Sequence, residues 1–341
     1  DNKRKGKVMG TCRLVISLLL LFAGASMLRA EPAVETVLEG LKNPVAVALQ
    51  PETGVIFIAE GGAGRVVRVI EGEAQEVIGG FPVEQYGDGP KFAIGPLGLA
   101  FLDKDHLVVG GGGQADGEDM LRVYRVPGEG SIKAGEMVSS STLGPLNDLG
   151  GEGNFYGLAR VGGVLYVTCN GDDTKGWIAR AVIAGGAEKT VGPLQRAIAT
   201  KVATGLDAPV ALAVAPDGSL VVGQMGEIKV AGDSGLTFYH PSSGKMLAHF
   251  ATGLHDITGL AYGPGGMLYA TDFSWLEPGQ GSLSQLLSVR GRKQTVKART
   301  VMPLERPTAI AFTSTGAALV TVLGSGNKQA SGKLLRITLD P

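Results

Sequence analysis

Cysteine is almost absent: the 341 residues hold two, Cys12 and Cys169. A framework of internal disulfides is therefore excluded beyond residue 30, where Cys169 stands alone, and stability there must come from core packing and topology. Cys169 ends the apolar stretch Leu165-Tyr166-Val167-Thr168 and reads as a small buried hydrophobe rather than a nucleophile. Charge is also scarce, at 18% of residues with a net −1. The first thirty residues carry six Lys or Arg against one Asp, which leaves the other 311 at −6. That balance argues against a nucleic-acid or acidic-lipid partner. Four histidines and two cysteines give no zinc-type spacing. No serine elbow or phosphate-binding loop exists either, since the run Gly110–Gly113 leads into an acidic segment, Asp116 to Asp119, that repels phosphate. After residue 30 no segment has a long helical period or a run fit to span a membrane. Glycine, by contrast, is plentiful: 54 residues, without a Gly-x-y period and beside 44% apolar residues. Such a chain is neither collagen-like nor disordered, and suits many short strands joined by tight turns.

Residues 1–30 read as an address. Lys3, Arg4, Lys5, Lys7 and Arg13 precede the apolar run Leu14 to Ala25, and Met27-Leu28-Arg29-Ala30 closes it. Basic, then apolar, then small is the order of a secretory signal peptide, with cleavage expected after Ala30. The run is short for a retained anchor, and Cys12 precedes it rather than follows it, unlike a lipid-anchored cysteine. The expected location is secreted or periplasmic, with 31–341 as the mature domain.

That domain repeats six times. The anchor has the shape Pro-x-small-aliphatic-Ala: Pro44 to Ala48, Pro96 to Ala100, Phe155 to Ala159, Pro209 to Ala213, Ile257 to Ala261 and Pro307 to Ala311. The closing alanines are 52, 59, 54, 48 and 50 residues apart, so six units fill the mature length. Each anchor leads through a turn (Thr53-Gly54, Lys104-Asp105, Gly162-Gly163, Asp217-Gly218, Gly265-Gly266, Thr315-Gly316) to a second strand. The second strands are predicted at Val55–Ala59, Leu107–Gly110, Val164–Thr168, Leu220–Gly223, Leu268–Thr271 and Leu319–Val322. Third strands follow, with Arg65, Arg68, Arg122 and Arg125 turned outward, and a fourth precedes the next anchor, as at Gln75–Gly80 and Ala197–Gly205. The chain is thus all-β, a six-bladed β-propeller of four-stranded antiparallel blades. Glu35–Gly40 precedes the first anchor, and no fourth strand follows Leu339. The N-terminal strand is therefore expected to close the sixth blade.

The segment Asn43 to Glu60, followed by Gly64-Arg65-Val66-Val67-Arg68-Val69, resembles an NHL-type repeat, as does Pro209 to Val230 with Pro216-Asp217-Gly218. The resemblance covers all six units. It implies membership of a superfamily with non-catalytic binding scaffolds, gluconolactonase-like metal-dependent hydrolases, strictosidine-synthase-like proteins and quinone-dependent sugar dehydrogenases. Fold does not choose among them.

The candidate site lies where the crossovers and second-strand loops emerge around the central channel. There the acids and amides fall on alternate blades: Asn43 and Glu60 on the first, Asn154 and Asn170 on the third, Asp256 and Asp272 on the fifth. Carboxylates with amide oxygens make a set that calcium prefers. Glu60, Asn154 and Asp272 are the candidate ligands of one Ca2+ ion, with Asp256 and Asn170 in reserve. Gluconolactonase-like relatives hold such an ion with a glutamate, an asparagine and an aspartate, but Asn43 stands where their first glutamate would be. The alternative is that these side chains cap backbone groups at strand ends, with Arg306 pairing with Asp256 or Glu60. His255 is the one imidazole placed to serve a quinone-linked dehydrogenase as a base. Trp177 and Trp275 lie where they would shelve a sugar face or cap the packing. The leading expectation is a binding scaffold holding a small-molecule or protein ligand at the mouth. A calcium-dependent lactonase is the alternative, and a quinone-dependent sugar dehydrogenase comes third.

Overall fold

The computed structural model describes residues 32–87, 89–170, 176–290, 293–324 and 330–339. The segment 1–30, read above as an export signal, lies outside them. Among the described residues no helix is long and apolar enough to cross a membrane.

Each anchor opens an antiparallel sheet whose strands pair in chain order in blades 1 to 5, and blade 1 adds a short parallel strand, Ile132–Lys133, outside Glu73–Gly79. Blade 1 is Pro44–Leu49, Ile56–Glu60, Arg65–Ile70 and Glu73–Gly79. Blade 2 is Pro96–Asp103, His106–Gly111, Leu121–Arg125 and Ser139–Ser141. Blade 3 is Phe155–Val161, Val164–Cys169, Trp177–Ala184 and Gln195–Ala199. Blade 4 is Pro209–Val214, Leu220–Gln224, Gly235–Tyr239 and Met246–Ala251. Blade 5 is Ile257–Tyr262, Leu268–Asp272, Ser282–Val289 and Thr295–Pro303. Blade 6 takes Pro307–Phe312, Ala318–Val322 and Gly332–Thr338 from the C-terminal end, and its outer strand is Ala33–Leu41. The closing register sets Val34 against Ile337 and Glu35 against Arg336, whose guanidinium reaches the Glu35 carboxylate at 3.1 Å. The ring thus closes as the unpaired first strand required.

Two local expectations change. The outer strand of blade 3 stops at Ala199, and Thr200–Thr204 forms one helical turn. Gly205 ends that turn at φ 78°, its N–H donating to Lys201 O, a conformation glycine adopts without a Cβ penalty. Arg122 does not face outward: it is buried, donates to Gln114 Oε1 at 3.0 Å and lies 5.8 Å over the Phe81 ring. Arg125 is exposed as expected.

The core lies between blades. Each sheet packs on both faces, so second strands are buried at nearly every position and their apolar residues do not alternate with exposed ones. Phe57 packs toward blade 2, while Ile56 and Ile58 on the same strand pack toward blade 6. Six apolar clusters fill the six junctions in this way. Cys169 belongs to the junction of blades 2 and 3, where burial pushes its thiol far up. Near the axis the sheets also bond directly. Thr168 Oγ1 donates to Val210 O at 3.0 Å, Thr258 Oγ1 to Pro307 O at 2.9 Å and Thr308 Oγ1 to Pro44 O at 2.7 Å. The last of these joins blade 6 to blade 1.

Candidate functional site

All six innermost strands lose register just after their first residue, between Pro44 and Ala46, Pro96 and Leu99, Phe155 and Leu158, Pro209 and Ala211, Ile257 and Gly259, and Pro307 and Ala309. A bulge re-aims the side chain it carries. The residue after each anchor's first position, namely Val45, Leu97, Tyr156, Val210, Thr258 or Thr308, lines one cavity of about 350 Å³ at the mouth of the channel. Every blade contributes one of these side chains. Tyr156 reaches across from blade 3 and donates to Thr308 O on the opposite blade at 3.1 Å.

The backbone just before the anchors is equally regular. Asn43, Asn154, Ala208 and Arg306 all adopt left-handed φ of 46–51°. Asparagine tolerates this conformation, whereas alanine and arginine are strained in it. Three of these residues offer their carbonyls to the N–H that follows the second strand: Gly61 N to Asn43 O, Met225 N to Ala208 O, and Leu323 N to Arg306 O. That bond fixes the loops that finish the cavity, which bring in Asn170, Met225, Ile228, Phe273, Trp275 and Leu323.

Part of the wall comes from between blades 1 and 2. A small hairpin, Glu84–Tyr86 with Phe92–Ile94, places Tyr86, Phe92 and Ile94 on the cavity. Its aromatic rings meet those of blade 5, with Phe92 5.0 Å from Trp275 and 5.6 Å from Phe273, edge to face. Trp275 Nε1 donates to Pro90 O at 3.1 Å, which ties the hairpin to a residue 185 positions away. Arg306 lies 5.2 Å over the ring of Phe92.

The residues predicted from the sequence separate into two groups. Asn154 and Asn170 face the cavity, where Asn154 Nδ2 donates to Asn170 O at 3.2 Å. Glu60, Asp256 and Asp272 are buried but serve backbone groups. Glu60 accepts from Lys42 N at 2.8 Å and pairs with Arg65 Nε at 2.6 Å. Asp272 accepts from His255 N at 3.1 Å and from Asp256 N at 2.8 Å. Asp256 accepts from Trp275 N at 2.6 Å and so anchors an aromatic residue of the wall. Burial, with Asp272 adding repulsion, pushes Asp256 up to about 6 against the pull of that N–H. Asp119 is a further buried carboxylate, holding Asn154 N at 2.9 Å and Gln114 N at 3.1 Å, and burial pushes it up to about 6 as well.

Of the five candidate calcium ligands, the three carboxylates are engaged elsewhere as placed, while Asn154 Oδ1 is buried without a hydrogen-bond partner. Glu60 is neutralised by Arg65 and Asp272 is taken up by two backbone N–H groups. Among the described residues no three His, Cys, Asp or Glu side chains gather closely enough to hold a metal ion. Arg306, expected beside Asp256 or Glu60, instead stacks on Phe92 and reaches Gly324 O at 3.4 Å. His255 does not line the cavity, and its ring lies 3.6 Å from Asp272. Trp177 also lies off the cavity, with Arg196 5.8 Å over its ring. Trp275 is on it. Sequence reasoning missed the second position of each anchor and the hairpin aromatics. The first had a signal, because Val45, Leu97, Tyr156, Val210, Thr258 and Thr308 share one phase of the repeat.

No protein-family model and no curated protein matches the sequence. Solved structures share the fold. A glucose dehydrogenase aligns with a TM-score of 0.60 at 16% identity, over 91% of this chain and 100% of its own. The PQQ-bound aldose sugar dehydrogenase of Streptomyces coelicolor aligns with a TM-score of 0.60 at 15% identity, over 91% and 99%. A gluconolactonase of Xanthomonas campestris aligns with a TM-score of 0.54 at 14% identity, over 91% and 90%. At these identities the likeness is one of architecture, the six-bladed propeller.

Proposed function

We propose that this chain is an exported propeller that binds a small ligand in the cavity at the mouth of its channel. One observation carries the reading: all six blades turn an equivalent side chain into a single cavity, which aromatic loops complete. A concave, mostly apolar site with few polar groups is the usual form of a small-molecule site. Export draws on the basic, apolar and small-residue order of residues 1–30. The test is native mass spectrometry of protein purified without denaturation from its own cells, with N-terminal sequencing of the same sample. A stoichiometric added mass and an N-terminus at Glu31 are expected. An unbound species throughout, together with no thermal stabilisation by any compound of a broad small-molecule panel, would overturn the binding reading.

A second reading, a calcium-assisted lactonase, draws on the gluconolactonase among the structural neighbours and on Asn154 and Asn170 at the cavity. It requires Glu60, Asp256 and Asp272 to leave the backbone groups and the arginine that they now serve. A calcium-dependent rise in Tm, accompanied by lactone hydrolysis, would favour it.

A further inference from the structure

We infer that the mouth cavity is selective for a neutral, largely apolar ring compound and rejects sugars, an inference that rests on the cavity being a ligand site. Most polar donors along its wall are already engaged within the protein. Thr258 and Thr308 donate to carbonyls of the next blade, Tyr156 donates across the channel to Thr308 O, and Trp275 Nε1 donates to Pro90 O. Asn154 Nδ2 is held by Asn170 O. Of the charged groups on the wall, the buried one is paired and the others face solvent. Asp207 pairs with Lys201 at 2.6 Å and accepts from Ala208 N, while Glu227 and Lys229 are exposed.

Asn154 Oδ1 is a buried acceptor without a hydrogen-bond partner, and apart from it and the Asn170 amide most of the remaining buried wall is hydrocarbon. A sugar carries a hydroxyl on nearly every carbon, and each one buried here without a donor to meet its oxygen costs about 1–3 kcal/mol. A charged ligand would lose its hydration, and the buried charge on this wall, Asp207, is already paired with Lys201. A ring compound without charge loses neither. It gains by covering Val210, Leu323, Phe273 and Trp275, and about 350 Å³ lies within the range of small-molecule sites. The chemistry of this cavity therefore departs from the sugar-directed names of the chain's structural neighbours.

The experiment titrates the full chain with the neutral fluorophore N-phenyl-1-naphthylamine, following its emission and the Tm, with glucose and glucono-δ-lactone in large excess as competitors. Saturable one-to-one binding, a raised Tm and no displacement by either competitor are expected. Val210→Phe, which fills the cavity from the blade 4 strand, should weaken binding at least tenfold. Leu323→Phe, on a different blade, makes the same test if the first variant folds poorly. Displacement of the probe by glucose or the lactone, with a raised Tm, would leave the ligand site standing and overturn the apolar selectivity. Unchanged probe affinity in both filled variants places the probe elsewhere and overturns the inference. If neither the probe nor the sugars change Tm or emission, the inference and the binding reading fall together.

Discussion

Buried carboxylates at strand ends look like metal ligands in a sequence, yet the environment of Glu60 makes it a clamp. One oxygen holds the N–H of Lys42 just before the first anchor, and the other holds Arg65 on the adjacent strand. Glu60→Ala should destabilise by about 1–3 kcal/mol, because it leaves a backbone donor and a half-buried guanidinium without their acceptor. Thermal melts with calcium and with chelator should show the same loss, and Glu60→Gln should recover part of it. A loss that appears only when calcium is present would return Glu60 to the role of ligand. Ala208 provides a test of opposite sign. Its φ of 50° costs an L-residue about 1–2 kcal/mol, and the extra freedom of an unfolded glycine offsets about 0.5–1 of that. Ala208→Gly should therefore raise Tm slightly, and a fall would show that the alanine methyl packs usefully against the cavity.

Among strands, Ala33–Leu41 has the largest consequence per residue. It covers the outer edge of Gly332–Thr338 and carries Leu38 and Leu41 into the junction of blades 6 and 1. Deleting residues 31–41 removes that ladder, exposes an edge and opens an apolar cluster. The expected loss is several kcal/mol out of the ~5–15 that holds a domain of this kind, seen as a much lower Tm or as aggregation. Melting like the intact chain would mean that the three-strand blade is self-sufficient.

The pH response of the folded ring depends on two carboxylates pushed up to about 6, with Glu84 raised by burial in the same sense. Asp256 faces Asp272, His255 and Asp233, and Asp119 faces Glu84 and Asp116. Each has a folded value of about 6 against the ordinary aspartate value of 3.8, so the native state binds the proton more tightly than the unfolded chain does. The sign follows from linkage: their stabilisation is complete below about 3.8 and is lost as pH rises through about 6. Asp103 and Asp217, both lowered by hydrogen bonds, work in the opposite sense and lose their contribution only as pH falls below the ordinary carboxylate range. Tm should therefore rise on acidification from neutral pH to about pH 4 and fall again only at lower pH. Asp256→Asn keeps an oxygen for Trp275 N and should flatten the rise. A Tm that falls steadily from neutral pH would show that neither carboxylate is raised.

The propeller is legible in the chain because its causes are local and repeated. Alanines at intervals of 48–59 residues, turn residues between short apolar runs, and an unmatched strand at one end fix the blade count and the closure. Residues of one phase recur where each strand meets the axis, so even the ring of Val45, Leu97, Tyr156, Val210, Thr258 and Thr308 was encoded in the repeat. What those side chains do was not. A bulge in each innermost strand decides that they face the channel. The acids of blades 1, 3 and 5 look convergent when counted around the ring. Yet a buried carboxylate takes the nearest unpaired N–H or cation, and for Glu60 and Asp272 those lie in their own loops. The contact of Trp275 with Pro90 and Phe92 joins segments 185 residues apart through the paths of two irregular loops. No local pattern carries that information, so the apolar character of the site was decided only when the ring closed and the loops met above it.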